Sequence, residues 1–453
     1  MSENLLLRAS VPDRLERLPL TGYQKKIFAL IAAAWLFDSM DLAMLTFILG
    51  SIKTEFGLSP QQAGLLATMS FIGMTAGASL AGILSDKFGR KMILQNSILV
   101  YSGASILCAL AQTPETLGIF RFLLGFGLGT GFPPAMSLVS EFIPSKDRGR
   151  YIAILEGFWP IGFICAGLLA YCLIPLGGWR LVFLAEAVPV LYYFAVKYYI
   201  TESPRWLEDK GRLAEADKIV AGFEEGVKKA LGGQELPAVE PRPYDPTKPV
   251  YTSSFADLWA PGYAKRTVMI WSLWFFALLG YYGLTTWLGT LLQQKGFEVT
   301  TSVFYTVAIS LGGIPGFLTS SYLVEALGRK PTNVIFLLGA ALGSYFYGTA
   351  TTLNTLIIFG LIMQFFMLGM WSCMYAYTPE LYPTRARATG SGFASAVGRL
   401  GAIVGSYLVG AILPHAGIEG VFALGAVCYA VAAAAVIILG EETKGKSLEN
   451  ISG

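Results

Sequence analysis

Twelve predominantly apolar stretches run along this chain, the first at 25–50 and the last at 417–439. Each is long enough to cross hydrocarbon as a helix, which takes about 20 residues. Composition agrees: 54% of the residues are hydrophobic and 14% charged, and mean hydropathy is +0.56, outside ordinary soluble usage. The expected fold is all-α and integral to a membrane. The first 24 residues are polar and charged before the first span begins, which is not the pattern of a cleavable signal peptide.

The charged residues between the spans repeat. Asp86-Lys87-Phe88-Gly89-Arg90 returns as Glu325-Ala326-Leu327-Gly328-Arg329, and 325 − 86 = 239. Glu141, Pro144 and Arg148 return as Glu380, Pro383 and Arg387 at the same offset. Thr201-Glu202-Ser203-Pro204-Arg205 has a looser echo in Glu441-Glu442-Thr443-Lys444-Gly445, with Glu441 at that offset from Glu202. A constant offset implies one unit repeated head to tail, giving two pseudo-symmetric six-helix bundles. Parallel halves in a membrane protein point to a transporter with its site between them. The expected organisation is an N-terminal segment 1–24, a first bundle 25–200, a linker 201–265, a second bundle 266–439 and a tail 440–453.

Basic residues set the orientation. Loops leading from odd to even spans hold only Lys53, Arg180 and Lys295, while Arg121 and Arg399 lie inside spans. The remaining Lys and Arg fall at the termini or in even-to-odd loops, so both termini and the linker are expected in the cytoplasm. The net charge of +3 reflects this topology and carries no nucleic-acid reading. In the linker, Glu208 to Ala230 reads as amphipathic helix with Leu213, Val220, Phe223 and Val227 near one face. Pro237, Pro241, Pro243, Pro246 and Pro249 then stiffen a tether. The five cysteines and the single His415 show no metal-ligand spacing. No nucleophile–base set or cofactor motif is visible, so no enzyme, metal or cofactor is expected.

Gly82 to Lys91 after span two resembles the signature of the major facilitator superfamily, and Arg121-x3-Gly125-x-Gly127-x-Gly129 in span four resembles a second element of it. Glu202 to Leu207 and Glu442 to Gly445 look like its sugar-porter and organic-ion branch. The resemblance implies inner-gate charge pairs drawn from Asp86, Arg90, Glu141, Arg148, Glu325, Arg329, Glu380 and Arg387. Such pairs should hold when the cavity faces out and break when it faces in; alternatively they only fix helix ends. The glycine run has no preceding strand, so it reads as close helix packing rather than a dinucleotide loop.

An ionised side chain in mid-bilayer costs on the order of 2.5–3.5 kcal/mol on insertion scales and needs a partner or a cavity. Asp38, Asp41, Arg121, Glu156, Glu186 and Arg399 are in that position. In sugar porters with these motifs a span-one acid pairs with the span-four arginine and carries the proton. Asp38 matches that position with Arg121 as partner, and Asp41 and Glu156 are further proton-coupling candidates. A permanent structural pair is the alternative for Asp38. For Glu156, and for Glu186 with no obvious local partner, it is a packing hydrogen bond.

Arg399 breaks the repeat, because Pro160 stands at its counterpart position. A guanidinium facing a cavity can clamp a carboxylate with two parallel hydrogen bonds; pairing with an acid across the cavity is the alternative. Trp271, Trp274, Tyr281 and Tyr282 on span seven, with Gln364, Trp371 and Tyr375 on span ten, suggest a pocket for a flat ring. No Gln or Asn occurs between Ala264 and Leu292, a departure from sugar porters. Trp35-Leu36-Phe37-Asp38-Ser39-Met40-Asp41 resembles bacterial niacin carriers and their aromatic-acid relatives. The expectation is a monomeric carrier in a bacterial inner membrane, taking up nicotinate or a similar aromatic monocarboxylate with protons. Carriers of cationic or neutral aromatics or of sugars, and a non-transporting nutrient sensor, are the alternatives. The mechanism requires Asp38, Arg121 and Arg399 to reach a central water-accessible chamber.

Overall fold

A computed structural model describes residues 11–239, 255–382 and 387–444. Pro241, Pro243, Pro246, Pro249 and Pro383 fall outside them, as do the side chains of Arg148 and Arg387. Among the described residues nine helices are long and apolar enough to cross a membrane. Seven are single spans. The other two, Arg150–Tyr199 and Thr389–Leu439, each hold two spans joined through a break. The breaks fall at Gly178 (φ 65°) and Gly417 (φ 64°), left-handed positions that suit glycine and that lie 239 residues apart. The less apolar helix Arg329–Gly348 completes twelve spans.

Several spans begin on a strong start signal. Ser59 precedes Pro60 and Thr113 precedes Pro114, and each caps its helix through a capping box. Thr21 and Thr352 do the same without proline. Each such cap satisfies backbone N–H groups that the first turn leaves free.

The two halves are packed alike. A methyl group on Gly73 would stand 2.0 Å from the Phe122 carbonyl oxygen, and one on Gly77 2.2 Å from that of Phe126. In the second half Gly312 and Gly316 make the same approach to Leu361 and Phe365, at 2.5 and 1.9 Å. All four positions correspond at the 239 offset. Spans two and four, and likewise eight and ten, therefore touch backbone to backbone, as small residues permit in lipid. The glycines of span four contribute directly: Gly125 and Gly129 face the backbone oxygens of Ser70 and Met74 at 2.0 and 2.2 Å on the same measure.

Between the halves, contact is tightest at the end away from the termini. Gly289 on span seven approaches the Thr46 oxygen of span one, and Gly410 on span eleven approaches the Pro60 oxygen at the start of span two, at 2.7 and 2.4 Å for an added methyl. On the terminal face, Arg14 reaches Asp217 and Glu224 at 3.1 and 2.8 Å, and Arg17 reaches Glu224 at 2.7 Å. These bonds tie the N-terminal segment to the linker helix Leu213–Ala230, whose Val220, Phe223 and Val227 are buried. Phe223 stacks on Phe142 with ring centroids 4.8 Å apart and meets Tyr23 edge-on at 5.3 Å. The linker helix thus caps the first bundle.

Candidate substrate site

A cavity of about 240 Å³ lies between the halves. Its walls come from spans one, two, four, five, seven, eight, ten and eleven, mostly from their parts nearer the terminal face. Combined with the tight contacts at the far end, this makes a chamber closed on one side and directed toward the termini.

Aromatic rings dominate the walls, and they are arranged by the repeat. Trp35 and Trp274, Phe132 and Trp371, and Met136 and Tyr375 all line the cavity, and the members of each pair are 239 residues apart. In the first half Trp35 meets Phe132 at 4.6 Å, and Phe132 meets Trp159 at 5.8 Å. In the second, Trp274 meets Tyr375 edge-on at 5.5 Å, and Trp371 stacks on Tyr375 at 5.9 Å. Tyr282 extends this wall, 6.3 Å from Trp371. Rings exposed on such walls can make the same offset and edge-on contacts with a flat guest.

Two charged side chains open onto the same cavity, Glu156 from span five and Arg399 from span eleven. Ser395 and Pro160, which stand at their repeat-related positions, line it as well. Among the described residues no acid is paired with Arg399 and no cation with Glu156; the hydroxyls of Tyr282 and Tyr375 lie in the field of both. Trp274 is held by a 2.9 Å bond from its indole N–H to Thr378 Oγ1, which fixes one ring of the wall.

Other candidates sit elsewhere. On span seven the cavity-facing stripe is Trp274, Leu278, Tyr282, in steps of four. Trp271 shares that face but lies one turn nearer the terminal end of the span, below the cavity, and packs with Phe255, Trp259 and Phe393. Tyr281 lies behind the wall with its ring 5.3 Å from Trp371. Gln364 is buried, with its amide nitrogen unpartnered, and does not line the cavity. Trp35, Phe132 and Trp159 were not among the sequence candidates, although the 239 offset from Trp274 and Trp371 points to the first two.

Asp38, Asp41 and Arg121 are buried inside the first bundle and do not line the chamber. The expectation that they reach it is therefore corrected: the core of the bundle, not the cavity, surrounds them. The pairing also differs. Arg121 faces Asp41 and Glu186, whereas Asp38 stands near Tyr101 and Tyr192. The Asp41 and Glu186 carboxyls are electrostatic neighbours beside Arg121, and among the described residues none of their oxygens has a hydrogen-bond partner. Two carboxyls can bond only when one is protonated.

The gate motifs form one constellation per half. Arg90 pairs with Asp86 at 3.8 Å, and Arg329 with Glu325 at 2.9 Å and Glu380 at 3.0 Å. Glu141 accepts from the Ser203 hydroxyl, as Glu380 accepts from Thr443 at 2.5 Å. Glu202 receives the backbone N–H of Lys91 at 3.0 Å, and Glu442 receives those of Arg329 and Lys330 at 3.0 Å. The counterpart of Glu202 is thus Glu442, not Glu441, so the offset has grown by one residue in the last span. Both carboxylates cap the helix that begins beside a positive-φ glycine, Gly89 or Gly328. Each of these pairs lies within one half, and the side chains of Arg148 and Arg387, the remaining expected gate cations, fall outside the described residues.

Comparison with known proteins accords with this geometry. The Major Facilitator Superfamily family model matches residues 31–344 and 306–452. The niacin transporter NiaP of Acinetobacter baylyi is 37% identical over 440 residues, covering 97% of this chain and 99% of that protein. The synaptic vesicle 2-related protein of Rattus norvegicus is 30% identical over 464 residues, covering 98% of this chain and 82% of its own. Among solved structures, the inward-open xylose transporter XylE from E. coli superposes with a TM-score of 0.73 at 18% identity, covering 94% of this chain and 99% of that one. Twelve spans in two repeated bundles, paired gate motifs and near full-length relatedness identify the chain as a membrane transporter belonging to the Major Facilitator Superfamily.

Proposed function

We propose that this protein takes up nicotinate or a closely similar small aromatic monocarboxylate together with protons, by alternating access across a bacterial inner membrane. The observation that carries the reading is Arg399, a guanidinium with no acid partner among the described residues, in an aromatic-walled cavity between the halves. A carboxylate on a flat ring satisfies both features: two parallel hydrogen bonds at one end and ring packing along the walls. The 37% identity to the niacin transporter of Acinetobacter baylyi supports the same substrate class.

With both termini in the cytoplasm, as the basic loops indicate, the chamber faces inward. That is the state named for the XylE structure to which the fold is similar. Proton coupling is assigned to Asp41, Glu186 and Arg121. Deprotonating the acid pair leaves two carboxylates facing each other beside one guanidinium, and that repulsion is relieved by moving span one relative to span six. Trp35 and Leu42 are on span one as well and line the cavity, so a shift of this helix reaches the site directly. Asp38 is assigned a supporting role on the same helix.

The test is counterflow into proteoliposomes preloaded with unlabelled nicotinate, with competition by nicotinamide and by a cationic pyridine. Labelled nicotinate should accumulate transiently and be displaced by aromatic acids. Equal competition by nicotinamide would argue against a carboxylate clamp, and the absence of counterflow would favour a non-transporting sensor.

A further inference from the structure

The cavity has a charge from each half, and only one of them is used by the reading above. We propose that Glu156 bonds the ring nitrogen of the substrate, so that the site selects nitrogen-heteroaromatic carboxylates over carbocyclic aromatic acids. The inference rests on the proposed function and refines its substrate class.

The repeat makes the point. Positions 156 and 395 are equivalent, as are 160 and 399, and all four line the cavity. A symmetric ancestor would carry matched side chains there. Instead the first half supplies an acid where the second has serine, and the second supplies a base where the first has proline. Each charge comes from a different half, Glu156 from span five and Arg399 from span eleven, and both line the one cavity. Neither is neutralised by a neighbour among the described residues.

An unpartnered carboxyl and an unpartnered guanidinium facing one small apolar chamber are costly unless a guest bonds both. A benzoate-like acid bonds only Arg399 and leaves Glu156 desolvated. A pyridine carboxylate offers a second polar atom on the ring. Its nitrogen accepts from a protonated Glu156 or, when it carries a positive charge, pairs with the ionised form. Trp159 and Pro160 lie beside Glu156 on the same helix, so the ring packs against the turn that presents the acid. Selection by an atom the site would otherwise leave unpaired is strong, because the wrong ligand buries the polar group for nothing in return.

The test is direct binding to the purified full-length protein, measured by calorimetry with nicotinate and benzoate, which differ by one ring atom. N-methylnicotinate, with its fixed positive charge, is the third ligand. Nicotinate should bind at least about tenfold tighter than benzoate, the scale of one lost hydrogen bond to a charged group. In Glu156→Leu that ratio should fall to within about threefold. In Glu156→Gln, which can still donate but carries no charge, nicotinate should keep its lead while N-methylnicotinate loses affinity. If nicotinate and benzoate bind the wild-type protein equally and Arg399→Ala weakens both, the carboxylate reading stands and the role of Glu156 is overturned. Failure of all three acids to bind would overturn both. The wild-type comparison decides even if a variant does not fold.

Discussion

Glu156 and Arg399 line one cavity from opposite halves of the molecule, and each faces it from a position whose repeat equivalent, Ser395 or Pro160, is uncharged. The aromatic positions behave differently. Trp35 and Trp274 are the same residue at the same place in both halves, and Phe132 and Trp371 are both aromatic, so two ring positions of the wall repeat and the charges do not. On the proposed function, packing against a flat ring would belong to the repeated unit and the polarity of the guest to the departure from it.

Replacing Arg399 tests that division. Arg399→Ala should weaken binding of an aromatic carboxylate by about ten- to hundredfold, the range for losing a charged hydrogen-bonding partner. Arg399→Lys should recover only part of it, because an ammonium cannot make two parallel bonds to one carboxylate. Nicotinamide, which has no carboxylate, should be little affected. Competition binding on purified protein measures all three.

The shifted register near the C-terminus gives a second expectation. Glu442 caps the helix starting at Arg329 as Glu202 caps the one starting at Arg90. Loss of a helix cap costs about 0.5–2 kcal/mol. Glu202→Ala and Glu442→Ala should therefore lower the thermal unfolding midpoint by similar amounts. Glu441→Ala removes only a partly exposed ion pair with Arg266, worth at most about 1 kcal/mol, and should do less. A larger effect at Glu441 would restore the 239 register there.

How much of this was readable beforehand depends on the kind of interaction. Span number and halves follow from hydrophobic length and from motifs such as Gly89-Arg90 and Gly328-Arg329, which are local in sequence. Arg399 as a cavity residue followed from its asymmetry. The aromatic residues were harder, because Trp271 and Trp274 stand on one face of the same helix; only packing decides at which depth along that face the cavity opens. Pairing among buried charges was also hidden. Asp38 and Asp41 differ by three residues on one helix, and which of them meets Arg121 depends on where span six delivers Glu186. A one-residue change in offset between Glu202 and Glu442 leaves no mark where two adjacent glutamates are available.

Glycine packing in span four supplies a third prediction. Gly125→Ala would drive a methyl group to 2.0 Å from the Ser70 carbonyl oxygen, whereas Gly103, on the neighbouring span, has nothing within 4 Å. The first contact is backbone, so relief requires separating spans two and four. Overpacking of this order costs about 1–3 kcal/mol or more. Gly125→Ala should lower the yield of monodisperse protein and its unfolding midpoint, while Gly103→Ala should leave both close to wild type. Equal behaviour of the two variants would show that spans two and four are not in backbone contact.

For the acid pair, Glu186→Gln replaces one carboxyl with an amide that can always donate to Asp41. The variant holds the protonated arrangement without a proton. Uphill accumulation of nicotinate driven by a pH gradient should then fail, while nicotinate exchange at equal pH on both sides should continue. Glu186→Gln with intact gradient-driven uptake would move the coupling role to another carboxyl, with Asp38 next in line.

The cap on the terminal face should respond to pH in a definite direction. Partial burial pushes the Glu224 carboxyl up, but hydrogen bonds and charge from Arg14 and Arg17 outweigh it and hold the group below its ordinary value. A group depressed in the folded state contributes stability that is complete above its unfolded value and is lost as pH falls through the folded one. The N-terminal segment should therefore stay docked on the Leu213–Ala230 helix at neutral pH and loosen only in acid, below the usual glutamate range. Glu224→Gln keeps the shape and removes the charge, so docking should weaken at neutral pH and keep only the acid dependence supplied by the Arg14–Asp217 pair. Hydrogen exchange of residues 11–17, followed from neutral to acidic pH in wild type and variant, would show this as protection that falls with acid in the first and is already low in the second. Protection unchanged in the variant would mean that Val11 and Leu15, both buried in the cap, hold the segment without the charges.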